Sequence, residues 1–304
     1  MDEADLLEEL RPAAFAIAYR MLGSVSEAED VVQEAYLRLH RADQEGERIE
    51  SPRAYLSTVV TRLAIDQLRS ARARRETYVG EWLPEPLLAD PESDPARQAE
   101  VADSLSLAFL VLLESLSPEQ RAVFLLREVF DYPYDRIAGI VGKTEANVRQ
   151  LNARARRHVD DGRTRFDASR EQREQLADRF FAAAHEGDLP ALEALLAEDV
   201  ELHGDGGGKA PALARALFGR SRVARTLRNW ARTGSRLGAW HVRRVDVNGQ
   251  PGAMLLDRRG RLFAVMALDV ADGQIQSIRS IVNPDKLRHL GELADVNALL
   301  RGES

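Results

Sequence analysis

The spacing of apolar residues divides the chain into two helical blocks and a mixed final segment. From Leu6 to about Arg75, and again from Leu105 to about His158, apolar residues recur every three or four positions, which is typical of amphipathic helices. After about Asp167, a helix is followed by β-like runs separated by Asn248-Gly249 and Asp272-Gly273, which are strong turn signals. The pattern predicts two all-α parts followed by an α+β part.

A proline-rich acidic stretch separates the two helical blocks. It contains Trp82-Leu83-Pro84-Glu85-Pro86 and Asp90-Pro91-Glu92-Ser93-Asp94-Pro95, and prolines at this density cannot continue a helix. We therefore predict four segments: a helical domain over 1–75, a linker over 76–103, a helical domain over 104–165, and an α+β domain with a tail over 166–304.

Hydroxyl residues followed by acidic, amide or proline residues mark the helix starts. Ser26-Glu27-Ala28-Glu29 is a capping-box pattern, Ser51-Pro52 places proline in a first turn, and Ser117-Pro118-Glu119-Gln120 combines both signals. For the helix after Ser51 the spacing predicts a buried stripe formed by Leu56, Val59, Val60 and Leu63. Later, Pro133 opens a short helix, Gly142 breaks it and Thr144 caps another, which is typical of a helix-turn-helix.

Charge distribution changes what the composition implies. The 304 residues carry a net charge of -7, which by itself argues against nucleic-acid binding, but the segments Arg62 to Arg75 and Lys143 to Arg157 are strongly basic. The absence of cysteine excludes disulfides and thiolate metal sites, and we predict no metal site and no cofactor. No apolar run is long enough to span a bilayer and the start, Met1-Asp2-Glu3, is acidic. We expect a cytoplasmic protein without a membrane partner.

Three exposed helix faces are candidate binding surfaces. An acidic face with one leucine is either a solvated surface or a docking site; its members are Asp30, Gln33, Glu34 and Leu37. A second face interleaves Tyr55 with Arg62, Asp66 and Arg69, which suits stacking and phosphate contact with a single strand, although it could also be an arginine-rich helix end. In the last helix of the helix-turn-helix, an apolar seam leaves arginines exposed, as a major-groove recognition helix requires.

The two helical blocks resemble the two conserved domains of extracytoplasmic-function (ECF) sigma factors. The most specific strings are Ala28-Glu29-Asp30-Val31-Val32-Gln33-Glu34-Ala35-Tyr36, Pro52-Arg53-Ala54-Tyr55-Leu56 with Ala64-Ile65-Asp66-Gln67-Leu68-Arg69, and Leu116-Ser117-Pro118-Glu119-Gln120-Arg121. The resemblance implies that the acidic face docks on the β′ coiled coil of core RNA polymerase, that the β flap is a second polymerase contact, and that promoter DNA is the other partner. Many members of the family have asparagine where this chain has Arg62.

The same resemblance implies two sets of DNA-contacting residues. The set for the -10 strand is Arg53, Tyr55, Arg62, Asp66, Arg69 and Arg72. The set for the -35 duplex is Lys143, Thr144, Arg149, Gln150, Ala153 and Arg154.

The last domain, over about residues 170–282, resembles the SnoaL-like branch of the nuclear-transport-factor-2 (NTF2) superfamily, a cone-like α+β fold around a pocket. The pocket is a candidate site for a small-molecule ligand. Three strings resemble the signature of sigma factors that carry such an extension, and they imply a regulatory interdomain set: Trp82, Leu83, Pro84, Asp205, Lys209, Asn283, Pro284, Asp285 and Lys286. We interpret the glycine-rich segment from Asp205 to Lys209 as a flexible loop rather than a phosphate cradle.

Relatives of this fold can abstract protons from carbon acids, with a buried carboxylate as base. The candidates are His203, Asp205, Lys209, His241 and Asp246, but every tyrosine lies before residue 135, so a phenolic donor is missing from the domain and we expect no catalysis. We predict an alternative sigma factor that recognises -10 and -35 elements and is modulated in cis by its last domain. The competing hypotheses are a one-component helix-turn-helix transcription factor with a ligand sensor and a proton-transfer enzyme fused to a DNA-binding module.

Overall fold

The computed structural model describes residues 3–75, 77–89, 104–162, 169–236 and 240–301, with the backbone alone described at 3–6, 71–75, 162, 235, 236 and 300. The chain forms two compact units. The first joins Met1–Thr77 with Leu110–Arg163, and the second joins Tyr78–Phe109 with Thr164–Ser304. The segment 78–89, which the sequence predicts as part of a separating linker, therefore packs with the C-terminal domain.

Three helices form the first part of the helical unit: α1 Glu3–Leu22, α2 Val25–Gln44 and α3 Pro52–Arg75. The cap of α2 is Ser24, whose extended backbone lets its hydroxyl accept from Glu27 N at 3.2 Å. The helix thus begins before Ser26, the residue at which the capping-box pattern predicts its start. Ala28, Val31, Val32, Ala35 and Leu39 are buried on one side of α2. Tyr36 is half-buried, and its hydroxyl donates to Leu7 O at 2.8 Å.

The buried side of α3 differs from the predicted stripe. Leu56 and Val60 are buried as predicted, but Val59 and Leu63 are only half-buried, while Ser57 and Thr61 are buried instead. Both hydroxyls donate to main-chain oxygens of their own helix, Ser57 to Ala54 O at 3.0 Å and Thr61 to Ser57 O at 2.7 Å. Because these hydroxyls are satisfied within the helix, they can face the core without the cost of an unpaired polar group.

The second helical block contains α4 Leu107–Leu113, α5 Pro118–Phe124 with a π-helical turn Leu125–Val129, α6 Tyr134–Val141 and α7 Glu145–Gly162. The capping box at the start of α5 is complete, with Gln120 N donating to Ser117 Oγ and Ser117 N donating to Gln120 Oε1. Gly142 ends α6 in the left-handed conformation, with a φ of 65°, and Thr144 caps α7. The predicted helix-turn-helix is confirmed.

The C-terminal domain packs helices on one face of a mixed sheet. Its elements are α8 Arg170–Glu186, α9 Leu189–Leu195, β1 Leu196–Asp205, β2 Leu217–Phe218, α10 Arg220–Arg236, β3 His241–Val247, β4 Gln250–Leu256, β5 Leu262–Ala271, β6 Gln274–Ile281, α11 Pro284–Leu287, a 3₁₀ turn Arg288–Leu290 and α12 Val296–Arg301. The strand order is β2-β1-β6-β5-β4-β3. Strands β1 and β6 are parallel, and all other pairs are antiparallel.

The two hairpin turns have the backbone that their sequences predict. Asn248 and Gly249 have φ values of 55° and 75°, and Asp272 and Gly273 have values of 52° and 67°. Positive φ at both central residues matches the right-handed twist of the flanking strands. The hairpins β3-β4 and β5-β6 are therefore set by local sequence.

The two faces of the sheet have different covers. Helices α8, α9 and α10 pack on one face, where a continuous apolar core contains Phe180, Leu192 and Val223 against Leu202 and Ile278. Tyr78 and Leu83 bind Asp205 at the end of β1 on the other face, and Leu88 forms a bridge to Val247 at the end of β3. Register shifts in β4 and β5 mark bulges, at which a sheet bends. This helix-on-bent-sheet layout agrees with the predicted SnoaL-like fold.

Among the described helices, none combines the length and apolarity that crossing a bilayer requires.

Candidate functional site

The acidic face of α2 is accessible. Asp30, Gln33 and Leu37 are exposed, with Leu37 retaining 45% of its surface, and Glu34 is half-exposed. Glu34 accepts from Arg38 at 2.8 Å, an ion pair at the surface that solvent screens. The opposite side of α2 packs against the neighbouring helices. Its outer face is therefore accessible to a partner.

The basic face of α3 is engaged by the helix-turn-helix block of the same unit. Arg62 donates to Ile140 O at 2.8 Å and to Gly139 O at 2.9 Å, near the carboxyl end of α6, where main-chain oxygens favour a cation. Arg69 donates to Glu119 Oε1 at 2.5 Å and also pairs with Asp66. Although partial burial opposes ionisation of Glu119, the hydrogen bond from Arg69 holds its pKa below the ordinary value.

The remaining members of the -10 set lie along the same helix. Arg53 is exposed, and Tyr55 is half-buried with its hydroxyl 3.5 Å from Arg38 O. Arg72 lies in the last turns of α3, outside the described side chains. The structure therefore places the set on one helix, with its two central arginines already occupied by contacts to the second block.

A buried arginine also joins the two helical blocks. Arg121 in α5 has a side chain 2% exposed, donates to Arg20 O at 3.1 Å and pairs with Glu114. Burial lowers the pKa of Arg121 to about 9. Arg136 in α6 adds a donor to Ser57 Oγ at 3.2 Å. The helical unit is thus a closed arrangement of its two blocks.

The last helix of the helix-turn-helix, α7, has a buried seam and an exposed outer face. Val148, Ala155 and Val159 are buried, and so is Asn152, which donates to Glu128 and to Tyr134 Oη. All the predicted -35 contacts are exposed: Lys143, Thr144, Arg149, Gln150, Ala153 and Arg154. Arg149 lies over the Tyr134 ring at 4.3 Å and pairs with Glu145. This ring contact orients the guanidinium at the start of the helix.

Asp205, with no exposed surface, holds the linker on the C-terminal domain. Its carboxylate accepts from Tyr78 Oη at 2.6 Å, from Leu83 N at 2.8 Å and from Lys286 Nζ at 2.6 Å. Lys286 also donates to Leu83 O and lies 4.3 Å from the centre of the Trp82 ring. We call the segment from Tyr78 to Ala89 with its partners the linker dock.

Burial and the hydrogen bond to Asp205 raise the pKa of Tyr78 well above its ordinary value, so the phenol stays a donor. Asn283 donates to the same hydroxyl at 2.8 Å.

A second anchor fixes the other end of the docked segment. Asn248, in the first hairpin turn, accepts from Leu87 N and donates its own main-chain N–H to Leu87 O, both at 2.8 Å. Its side-chain amide also donates to Leu105 O at 3.0 Å. Asn248 therefore binds both Leu87 and Leu105, which lie on either side of residues 90–103 in the sequence.

The glycine-rich segment from Asp205 to Lys209 is a packed turn, not the flexible loop that the sequence predicts. Gly207 has a φ of 57°, and a Cβ there would lie 2.2 Å from Asn283 Nδ2 and 2.9 Å from Tyr78 Oη. Lys209 N donates to Gly206 O at 2.9 Å, and the Lys209 side chain pairs with Asp285. Glycine is needed because Tyr78 and Asn283 approach the turn too closely for any side chain.

A cavity of about 280 Å³ opens on the helix-covered side of the sheet. Its aromatic and long apolar lining includes Phe181, Leu227, Trp230, Trp240, Phe263 and Met266. Its described lining contains none of the candidate catalytic residues His203, Asp205, Lys209, His241 and Asp246.

The carboxylate that does line the cavity, Asp257, is tied to its own turn. It accepts from the main-chain N–H groups of Arg259 and Arg261, both at 2.9 Å. Although burial opposes ionisation, these hydrogen bonds hold the pKa of Asp257 below its ordinary value. Asp257 is thus a poor proton acceptor.

The other candidates have structural partners. His203 contacts Glu81 at 2.6 Å and Glu201 at 2.9 Å, beneath the linker. Asp246 accepts from Gly249 N at 2.7 Å in the hairpin turn, and burial raises its pKa. His241 is exposed on β3. In the described part of the chain, no group of three or more His, Cys, Asp or Glu residues is placed to hold a metal ion.

Known protein families match both helical blocks, and known proteins match almost the whole chain. Residues 6–74 match Sigma-70 region 2, and residues 106–159 match Sigma-70, region 4. The ECF RNA polymerase sigma factor SigJ of Mycobacterium tuberculosis is 39% identical over 294 residues, which cover 93% of either chain. The chain belongs to the ECF RNA polymerase sigma factors.

A second relative and the solved structure of SigJ each match about nine-tenths of this ECF sigma factor. The probable ECF RNA polymerase sigma factor SigI of M. tuberculosis is 34% identical over 274 residues, covering 89% of this chain and 90% of the relative. The crystal structure of M. tuberculosis SigJ matches with a TM-score of 0.75 at 36% identity, covering 94% of this chain and 98% of that one. As a sigma factor, the protein binds core RNA polymerase and promoter DNA and initiates transcription; it is not an enzyme.

The structure brings together the residues that the sequence predicts as a regulatory set in this ECF sigma factor, and adds residues that sequence reasoning missed. Trp82, Leu83 and Pro84 lie in the docked segment, and Asp205, Lys209, Asn283, Pro284, Asp285 and Lys286 lie at the turn after β1 and in the residues that follow β6. The missed residues are Tyr78, Glu81 and Asn248. Tyr78 binds Asp205 in the dock and does not line the cavity; its position four residues before Trp82 was the available signal.

Gly207 provides a test of the linker dock. Gly207→Ala should lower the free energy of unfolding by about 1 to 3 kcal/mol more than Gly260→Ala, because the new methyl group collides with Asn283 and Tyr78. Gly260 is the matched control, since its φ is 80° and a Cβ there meets nothing within 4 Å, so only the backbone cost remains. Equal losses for the two variants in thermal or denaturant unfolding would contradict the packed turn.

Proposed function

We propose that this ECF sigma factor docks on polymerase through α2, takes the -10 strand on α3 and reads the -35 duplex with α7, while the C-terminal domain modulates it in cis through the linker dock. The observation that carries the regulatory part is the fully buried Asp205, bound by donors from both the linker and the C-terminal domain. The site of action is the cytoplasm, where RNA polymerase works. The cavity is a candidate site for a small-molecule ligand.

Exposure and charge support α2 as the polymerase surface. Asp30 and Glu34 are one turn apart on its outer face and Leu37 is exposed beside them. Carboxylates around an apolar side chain suit a basic partner surface, which we assign to the β′ coiled coil of core polymerase. The second helical block is the candidate contact for the β flap.

Charge reversal tests this surface. Asp30→Lys with Glu34→Lys should weaken core polymerase binding at least about tenfold in a pull-down or fluorescence titration, because like charges then meet across the interface. Glu8→Lys with Glu9→Lys is the control, since both residues are exposed on α1 and the net charge changes equally. Comparable losses in the two double variants would assign the effect to overall charge and remove α2 as the docking face.

The closed arrangement defines what must change for -10 recognition. Arg62 and Arg69 now serve main-chain oxygens of α6 and the carboxylate of Glu119. For these guanidinium groups to take DNA phosphates or bases, the contacts to the second block must be exchanged. The exchange keeps both cations paired throughout, so its free-energy cost is modest.

The geometry of α7 supports its role at the -35 element. The Tyr134 ring positions Arg149 near the amino end of the helix. Arg154 is exposed further along the same helix. A helix whose seam is buried and whose first turns carry donors can lie in the major groove.

Removing these arginines should reduce promoter use. Arg149→Ala and Arg154→Ala should each lower transcription from a -35-dependent promoter by about 5- to 100-fold, the cost of a lost base contact. Arg170→Ala is the matched control, because Arg170 also forms an i,i+4 ion pair on an exposed helix but lies outside the helix-turn-helix.

Gel shifts with and without core polymerase accompany the assay. Strong binding to duplex DNA without polymerase would favour the one-component transcription factor instead.

The linker dock limits the reach between the two helical blocks. Docking fixes residues from Tyr78 to Ala89, and an undocked stretch of this length could extend by roughly 40 Å. A docked linker therefore restricts the separations that the two blocks can adopt on a promoter. Preorganisation of this kind raises affinity for matching sites and lowers it for others.

Truncating the linker tryptophan tests the modulation. Trp82→Ala should lower the peak transcription rate several-fold and broaden the range of tolerated spacings between -35 and -10, because Lys286 and Asp205 lose part of their cover. Phe218→Ala is the control, an exposed aromatic residue of the same unit that takes no part in the described contacts of Asp205, Tyr78 and Lys286. The measurement is in vitro transcription with core polymerase on promoters of stepped spacing. An unchanged spacing profile would contradict regulation through the linker.

A further inference from the structure

The cavity of the C-terminal domain is equipped to recognise a molecule. It has an apolar interior of about 280 Å³, near the lower end of the range for small-molecule sites. Trp230 lines it and is 40% exposed, so its ring is accessible from solvent. Size and lining together fit a compact molecule of one or two fused rings.

An unpaired donor lies in the wall of this cavity. The indole Nε1–H of Trp240 is buried and has no hydrogen-bond partner among the described residues. A Cβ at Gly234 would lie 2.8 Å from this nitrogen, so the glycine keeps the space beside the N–H open. A buried donor without a partner is costly, and an acceptor on a bound molecule would remove that cost.

The arginines that line the cavity indicate that the acceptor on the bound molecule is an anion. Arg258 and Arg259 line the cavity from the turn between β4 and β5 and are exposed, and Arg261, which also lines it, pairs with Asp257. Two exposed guanidinium groups favour an anion over a neutral polar group. Asp257, the one carboxylate in the described lining, is already neutralised by its own turn, so it does not oppose an anion.

We propose that this cavity binds a compact aromatic acid, whose rings stack among Trp230, Trp240 and Phe263 and whose acidic group meets Trp240 Nε1 and the arginines of the turn. The proposal deepens the candidate ligand role named above. It concerns binding alone, and its test needs no polymerase, so its failure is distinguishable from failure of the sigma function, which is measured by transcription.

Calorimetric titration of the full chain tests the proposal with two probes of equal shape, 2-naphthoate and 2-naphthamide. The naphthoate should bind with a dissociation constant below about 1 mM, and at least about fivefold more tightly than the amide. Arg258→Ser with Arg259→Ser should abolish that preference. Trp240→Phe, which keeps a ring but removes the donor, should weaken naphthoate about tenfold, and Trp230→Phe, which lies in the same cavity, should change it less.

A second substitution protects the test against misfolding. Gly234→Ala suits the helix better than glycine and fills the space beside the indole nitrogen, so it should weaken binding while the circular dichroism spectrum is retained. Absence of binding by both probes at 1 mM would overturn the proposal. Binding that is indifferent to Trp240→Phe and Gly234→Ala would place the probe elsewhere and overturn it equally, as would an amide that binds as tightly as the acid.

Discussion

A buried carboxylate cannot be left without partners, and the C-terminal unit is organised around this constraint at Asp205. The side chain has no contact with solvent, and its donors come from Tyr78 and Leu83 in the linker and Lys286 after β6. Removing one partner of a buried pair typically costs several kcal/mol, because the remaining charge stays desolvated. The linker is therefore a structural part of this domain, although it is remote from it in sequence.

A comparable constraint applies to the arginines of the helical unit. Arg121 is buried between the blocks with Glu114 and Arg20 O as partners, so it favours the closed arrangement throughout. Arg62 and Arg69 are held by weaker, more exposed contacts. The arginines that we propose as contacts for a promoter strand are thus those whose present contacts are the least costly to exchange, while the buried contact is made by a residue outside both predicted DNA sets.

Local sequence predicted the features that depend on local physics. The capping box at Ser117, the break at Gly142 and the turns at Asn248-Gly249 and Asp272-Gly273 each involve residues a few positions apart, and all four are present. Prediction failed where distant segments meet. The hydroxyls on the buried side of α3 and the packed turn at Gly207 depend on partners that periodicity does not reveal.

The candidate sites divide in the same way. The exposed faces of α2 and α7 follow from helical spacing, whereas Tyr78, Glu81 and Asn248 lie far in sequence from the residues that they bind. The family resemblance brought together Trp82, Asp205 and Lys286, because a shared signature records a contact that spacing alone does not. What neither source provided was the chemistry of that contact, namely a single carboxylate with donors from two segments.

The alternation of side chains along β1 and β6 connects the two features of the C-terminal domain. On β1, Gly204 lines the cavity, and its neighbour Asp205 binds the linker. After β6, Val282 lines the cavity, and Asn283 contacts Tyr78. Successive residues of a strand point to opposite faces, so a molecule in the cavity and the docked linker would press on opposite sides of the same backbone.

Such an arrangement would couple the proposed ligand site to the docked linker without any contact between them. A ligand that binds differently when the linker is docked must, by reciprocity, change the stability of the docked state by the same factor. The close packing at Gly207 leaves little room for the turn after β1 to move while the linker stays in place. A displacement of that backbone would therefore be transmitted to Tyr78 and Asn283 rather than absorbed within the sheet.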